Sequence, residues 1–231
     1  MDREFTANPS QKEMQEAENA FHLLCGDDYT EADVIIDRFS QNSHRYEKVL
    51  GKMNFSGHTQ CAQSAADWFP KNRHDVYILD VAAGTGLCGD ELRSQGFRKI
   101  DALEPSVQML EEAKKKGIYG RYFSVMLGEN SVDIESDTYD AVTISGLTVV
   151  IMKKLPRKAF EELIRIVKPG GYIINATYHK IFPEDGDAEG AIFRNNMKAL
   201  ESQGKWTLVE LRRFKDYLCG DDGAVSVHKV L

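Results

Sequence analysis

The 231-residue sequence lacks any apolar run approaching the roughly 20 residues needed to span a bilayer, so no membrane helix is expected. Its first residues, MDREFTANPSQKEMQEAEN, are polar and acidic, unlike a secretion signal or an Arg-rich transit sequence. The four cysteines (Cys25, Cys61, Cys88, Cys219) show no CxxC or other metal-ligand spacing. With no HxH string and no clustered carboxylates, no metal is expected. Unpaired cysteines without a secretion signal read as reduced thiols, which points to a cytoplasmic setting and leaves a nuclear one open. Positive charge is scarce: the net charge is −7, and only Lys114–Lys116 and Arg212–Lys215 are densely basic. Both clusters read as solvated faces, so nucleic acid is not an expected partner. Internal repeats, P-loops and Ser–His–Asp strings are also absent.

What remains is a globular composition, 42% hydrophobic and 28% charged, in a length that suits one core. The first twenty or so residues show no aliphatic periodicity, and 1–30 are expected to be a flexible N-terminal segment. Residues 31–231 are expected to form one domain, with 31–70 a helical cap and 75–231 an α/β core. In the cap, Val34, Ile35, Phe39, Tyr46, Val49 and Leu50 recur at near-helical intervals, and a second helix runs from Gly57 to Pro70. Beyond residue 75 the spacing predicts strands at 76–81, 99–104, 122–127, 139–145 and 172–178. Helices at 87–95, 107–116 and 157–167 alternate with them, the pattern of βαβ units in a parallel sheet. A last helix, 190–203, precedes strands at 206–217 and 224–230, joined only by Gly220–Gly223. No helix fits between those two strands, so they must pair antiparallel.

The stretch ILDVAAGTGLCGDEL, Ile78 to Leu92, places a glycine-rich turn between a strand and a helix. Glycines let the backbone turn sharply and approach a ligand, and the helix N-terminus then offers unpaired N–H groups. From Gly84 the string fits GxGxxG, which by itself is a weak dinucleotide signal. Asp80 separates the alternatives, because a carboxylate before the loop would repel a pyrophosphate but suits a ligand carrying an ammonium and a sulfonium. Glu104 ends the next strand, twenty residues after Gly84, where its carboxylate can accept both hydroxyls of a ribose. Ser106 caps the following helix.

DVAAGTG resembles the D/E-x-G-x-G-x-G motif of class I methyltransferases, with Ala82 in place of the first glycine. LEPSVQML is similar to that family's acidic loop. TYDAVTISGLTV with LIRIVKPGGYIIN resembles its fourth strand, following helix and turn into the fifth strand. Upstream, YEKVLGKMNFSG resembles the opening segment of small methyltransferase-like proteins, so the likeness runs from about Tyr46 to the C-terminus. The resemblance implies a three-layer Rossmann-like sandwich around a seven-stranded, mostly parallel sheet with an antiparallel C-terminal hairpin. It also implies S-adenosylmethionine as cofactor and S-adenosylhomocysteine as product. Carried onto this sequence, it seats Tyr46 over the methionine end, with Asp80, Ala82, Gly84 and Gly86 beneath. It gives Glu104 the ribose, flanks the adenine with Pro105 and Met109, and puts Leu127 and Gly128 at the adenine edge and Ser145 beside the methionine moiety. The sequence departs from the family's pattern at LGEN, where an adenine-binding aspartate often stands and where Leu127–Gly128 backbone or Glu129 would substitute. It departs again at Asn42–Ser43, where an aromatic-small pair usually precedes the tyrosine.

The acceptor is expected to be a small molecule, in a pocket that Leu147 and Thr148 help line beneath residues 31–69 and the loop after Tyr178. Neither an NPPY string nor a Pro-Cys nucleophile is present. Transfer from an activated sulfonium depends mainly on alignment, and a base is needed only for a protonated or hydroxyl acceptor. His179 is the candidate base, with a structural histidine as the alternative. The competing readings are a non-catalytic cofactor-binding subunit that activates a partner, a nicotinamide-dependent oxidoreductase, and an aminopropyl transferase. Oligomeric state is left open.

Overall fold

The computed structural model describes residues 9–128, 131–182 and 190–231. Helix α1 (Gln11–Cys25), α2 (Ala32–Gln41), α3 (Ser43–Lys52) and α4 (Gly57–Trp68) precede the alternating region. There β1 (Tyr77–Val81), α5 (Leu87–Ser94), β2 (Lys99–Leu103), α6 (Val107–Lys115), the two-residue β3 (Tyr122–Phe123) and β4 (Tyr139–Ser145) follow in turn. Next come α7 (Val149–Lys154), α8 (Arg157–Ile166), β5 (Val167–Tyr178), a 3-10 turn at His179–Ile181, α9 (Ala191–Ser202), β6 (Trp206–Leu218) and β7 (Asp221–Val230).

The seven strands form one sheet in the order β3-β2-β1-β4-β5-β7-β6. Strands β1 to β5 pair in parallel, and β7 runs antiparallel to both β5 and β6. The two-residue Cys219–Gly220 link, tighter than the Gly220–Gly223 turn expected from the sequence, leaves no room for a crossover helix, so the chain must reverse and pair with itself. Because side chains alternate across a strand, the sheet builds two cores. Ile78, Ile100, Ala141 and Ile174 face α4, α5 and α6 on one side. Leu79, Leu103, Val142 and Ile173 face α8 and α9 on the other. The three-layer Rossmann-like sandwich expected from the sequence is the fold observed.

Four stretches differ from the sequence expectation. Residues 11–25 are not a flexible segment but helix α1, started by a capping box in which the Ser10 hydroxyl and the Glu13 carboxylate bond reciprocally. Its buried stripe is Ala17, Phe21, Leu24 and Cys25, helical in period but poor in aliphatics, which is why the pattern is faint. Helix α4 belongs to the sandwich rather than to the cap. Its Cys61, Ala62, Ala65 and Ala66 are fully buried against the sheet, small side chains that let helix and sheet approach closely. The cap is therefore α1 to α3, with its own cluster of Phe21, Leu50, Met53 and Tyr217. Last, β3 stops at Phe123 instead of Leu127, and Val149–Lys154, where the sequence predicts no helix, is helical with Thr148 as its N-cap.

Candidate active site

All five parallel strands end on the same edge of the sheet, and the loops leaving β1, β2, β4 and β5 meet there, as ligand sites do in open α/β sheets. Beyond β1 the chain turns through Ala82 and Gly84, both left-handed at φ 53° and 54°, and enters α5 at Gly86, φ 89°. Glycine supplies that conformation freely at Gly84 and Gly86, whereas Ala82 holds it with a Cβ in place. At Gly86 a Cβ would also come within 3.2 Å of the Tyr119 ring.

Glu104 follows β2 and is 8% exposed. One of its oxygens accepts the Gly84 N–H at 3.1 Å and the other the Ser106 N–H at 2.9 Å, so the loop and the start of α6 are tied to one carboxylate. Burial pushes its pKa up to about 7, against the lowering effect of those two N–H groups. Asp80 is more enclosed, at 1% exposure. Its oxygens accept the Tyr119 hydroxyl at 2.7 Å and the Thr143 hydroxyl at 2.9 Å. Burial lifts its pKa to about 6 although these hydroxyls favour the ionised form.

A cavity of about 250 Å³ opens above this frame. Tyr46, Ala82, Gly84, Glu104, Pro105, Met109, Leu127, Gly128 and Ser145 all line it, so nine residues singled out in the sequence converge on one space. Ile36, Phe39 and Ile151 add apolar walls that the sequence did not identify. The donor set is sparse and directional, and the residues fit a nucleoside. Glu104 is an acceptor at one side, the buried Ser145 hydroxyl has no partner among the described residues, and flat apolar walls lie between. At Gly84 a side chain would meet the Tyr46 ring, 3.8 Å from its would-be Cβ.

Three sequence assignments land elsewhere. Asp80 and Gly86 do not line the cavity: Asp80 faces inward to Tyr119 and Thr143, and Gly86 packs below the loop against the same tyrosine. Tyr119 reaches Asp80 across Gly89, where a Cβ would stand only 2.3 Å from the phenol oxygen. His179 lines neither this cavity nor its neighbour. The chain enters the 3-10 turn there, and Tyr178, Ile181 and the exposed Lys180 border the larger cavity instead. Glu129, proposed as a substitute at the adenine edge, lies outside the described residues.

The neighbouring cavity, about 440 Å³, shares Tyr46, Gly146 and Thr148 with the first. It lies under the cap, between α1 (Phe21, Cys25), α3 (Tyr46, Leu50), the ends of β5 and β6 (Tyr178, Tyr217) and Phe55. Thr148 lines both spaces, whereas Leu147 lines only the smaller one. Burial raises the phenols of Tyr46, Tyr178 and Tyr217 far above their ordinary range. The cap is latched to the core by polar contacts beside the loop. The Thr85 hydroxyl donates to Glu47 at 2.6 Å, Lys116 pairs with the same carboxylate at 2.7 Å, and Ser40 meets Ser106 at 2.6 Å. Tyr217 and α1 were missed in the sequence because strand alternation and a faint helical stripe do not reveal which surface they face. Among the described residues no His, Cys, Asp and Glu cluster could hold a metal ion, and no helix is long and apolar enough to cross a membrane.

Comparison with known proteins is consistent with this geometry. Residues 78–171 match the family model described as a methyltransferase domain. Over 108 residues the chain is 38% identical to human methyltransferase-like protein 27, covering 47% of this chain and 43% of that protein. A demethylmenaquinone methyltransferase of Clavibacter sepedonicus is 39% identical over 100 residues, covering 42% of this chain and 39% of the relative. The matched stretch therefore spans less than half the length of either relative. A solved structure from Methanococcus maripaludis, ascribed to an S-adenosyl-L-methionine-dependent methyltransferase, superposes with a TM-score of 0.61 at 17% identity, covering 83% of this chain and 93% of that one. At that identity the likeness speaks for the fold.

Proposed function

We propose that the chain is an S-adenosylmethionine-dependent methyltransferase that methylates a small molecule held under its helical cap, a reading supported by the match of residues 78–171 to the methyltransferase-domain model and by the shared fold. The observation that carries this reading is the pair of cavities meeting at Tyr46, Gly146 and Thr148. One is walled by the glycine loop and Glu104, and the other is closed by α1 and α3 into a space of small-molecule size. Bound S-adenosylmethionine supplies a methyl group already activated on a sulfonium.

The chain's own residues then have three tasks. Glu104 accepts the ribose hydroxyls while its bonds to Gly84 and Ser106 fix the loop around it. Ile36, Phe39, Met109 and Leu127 enclose the adenine in an apolar slot with Pro105 beside it, and Ser145 offers its unpaired hydroxyl to the methionine end. Tyr46, common to both cavities, positions the two ligands against each other and excludes water between them. The Tyr178 and Tyr217 phenols keep their protons, so they orient an acceptor as donors rather than deprotonate it. Asp80 acts from below as a support of the loop. A small-molecule acceptor is also what the Clavibacter relative's name describes for that protein.

Calorimetric titration with S-adenosylhomocysteine and with NAD tests the cofactor. We expect heat from the first and none from the second, and the opposite result would end this reading. A transfer assay against metabolite extracts then tests the reaction, and failure with every extract would favour a non-catalytic binding subunit.

A further inference from the structure

The larger cavity has a chemical character that narrows the acceptor, taking that cavity as the acceptor site proposed above. Its walls are aromatic: Phe21, Tyr46, Phe55, Tyr178 and Tyr217. Tyr217 meets Phe55 edge to face at 5.3 Å and 82°, and Tyr178 at 4.6 Å and 65°, so the rings form a box rather than a stack. One wall already carries a cation, because the Lys180 ammonium sits 4.6 Å from the centre of the Tyr178 ring.

The charged residues around the box are unbalanced. Glu18, Asp27, Asp28 and Asp221 face Lys153 and Lys180, and no arginine is among the lining residues. Lys153 lies 3.4 Å from Asp28 and Lys180 lies 3.6 Å from Asp221. Among the described residues no lysine or arginine pairs with Glu18 or Asp27; Glu18 accepts the Gln15 amide at 3.1 Å and has His22 at 3.8 Å. Asp27 is held in place by the Thr30 hydroxyl at 2.8 Å and the Tyr29 N–H at 3.1 Å. Those bonds keep its carboxyl below the ordinary range, so it stays ionised.

We propose that the acceptor is an organic cation, a ring-bearing amine whose body lies between the aromatic walls and whose ammonium faces Glu18 and Asp27. The ring faces attract a cation through their quadrupole, and the two carboxylates, which have no lysine or arginine partner among the described residues, add a field of the same sense. An anionic acceptor would meet lysines that are already engaged and carboxylates that repel it. An uncharged quinone of the kind named for the Clavibacter relative would gain nothing from those carboxylates.

The test is calorimetric binding to the full chain saturated with S-adenosylhomocysteine, using four probes: phenethylamine, 2-phenylethanol, 3-phenylpropanoate and menadione. Phenethylamine should bind about tenfold or more tighter than the matched alcohol, and the carboxylate weakest. In Glu18→Gln/Asp27→Asn the preference for amine over alcohol should fall to about twofold or less. Glu18→Gln alone, which leaves the Asp27 turn intact, should give an intermediate loss, and a cooperative melt confirms that each variant is folded. Absence of amine binding, equal or tighter binding of the carboxylate or of menadione, or an unchanged preference in a folded double variant would each overturn the inference. Failure of S-adenosylhomocysteine itself to bind would instead overturn the reading of the fold's activity, so the two failures are distinguishable.

Discussion

Asp101 and Glu104 stand three residues apart along β2 and its exit, both buried, yet only Asp101 has a cation. Asp101 accepts the Arg121 guanidinium at 2.8 Å, the Tyr77 hydroxyl at 2.6 Å and the Tyr139 hydroxyl at 2.8 Å. Those three bonds converge on one oxygen while the other accepts the Arg121 backbone N–H at 2.9 Å, and the Arg121 charge offsets the buried one. Glu104 and the nearby Asp80 are bonded only by neutral groups, and among the described residues no lysine or arginine pairs with either. The first site is closed and serves to join strands. The second keeps uncompensated negative charge at the edge where the loops gather, a costly arrangement unless a ligand completes it.

Breaking the closed site should produce the largest effect. Asp101→Ala strands the Arg121 guanidinium beside two tyrosine hydroxyls that lose their acceptor. Because the Arg121 side chain is half exposed it can rehydrate, so the loss should fall near the lower end of the range for broken buried pairs, about 3 kcal/mol. Urea denaturation at neutral pH measures it. A loss below about 1 kcal/mol would mean that the network adds little and that the contrast with Glu104 is nominal.

The open site should respond in binding rather than in stability. Glu104→Gln removes a charged acceptor, worth about 1.5–3 kcal/mol in hydrogen bonding, so affinity for S-adenosylhomocysteine should drop about ten- to a hundredfold. The pH dependence has a definite sign. The Glu104 pKa is raised from 4.5 to about 7 in the fold, so its contribution to stability is fully present below pH 4.5 and lost as pH rises through 7. Asp80, raised from 3.8 to about 6, adds to the same decline at lower pH. Ligand-free protein should therefore lose stability from pH 4.5 to 7, while affinity for the nucleoside rises as Glu104 ionises. Glu104→Gln should flatten the upper part of both curves and leave the Asp80 part. Melting temperatures and titrations at half-unit pH steps would reveal a Glu104 that stays ionised throughout, which would refute this account.

Most of this frame is legible in the sequence, because it rests on local rules. The alternation of short apolar runs and helices fixes the parallel sheet, and the absence of room for a helix between the last two strands forces the hairpin. Nine of the eleven residues assigned to the cofactor line one cavity, since each sits on a strand end or in the turn just beyond it, or on a cap helix whose period is clear. The failures are tertiary. Nothing local indicates that Tyr119, 39 residues from Asp80 in sequence, occupies the carboxylate that would otherwise face the ligand. Nor does the position of His179 after β5 reveal that a 3-10 turn carries it away from both cavities. Helix α1 was hidden because its buried stripe relies on Ala17 and Cys25 as much as on Phe21 and Leu24.

The smallest expected effect bears on that substitution of roles. If Asp80 supports the loop rather than touching the ligand, Tyr119→Phe should lower stability by about 1 kcal/mol, the net value of one hydrogen bond. The ring itself would stay packed over Gly86 and Gly89. Affinity for S-adenosylhomocysteine should then change less than about twofold, because the lost hydroxyl lies beneath the loop and the Thr143 bond still holds the carboxylate. A tenfold loss of affinity at unchanged stability would place Asp80 in the binding set beside Glu104. The division would then run between Asp101 and a working pair of carboxylates, rather than between two supports and one ligand-facing group.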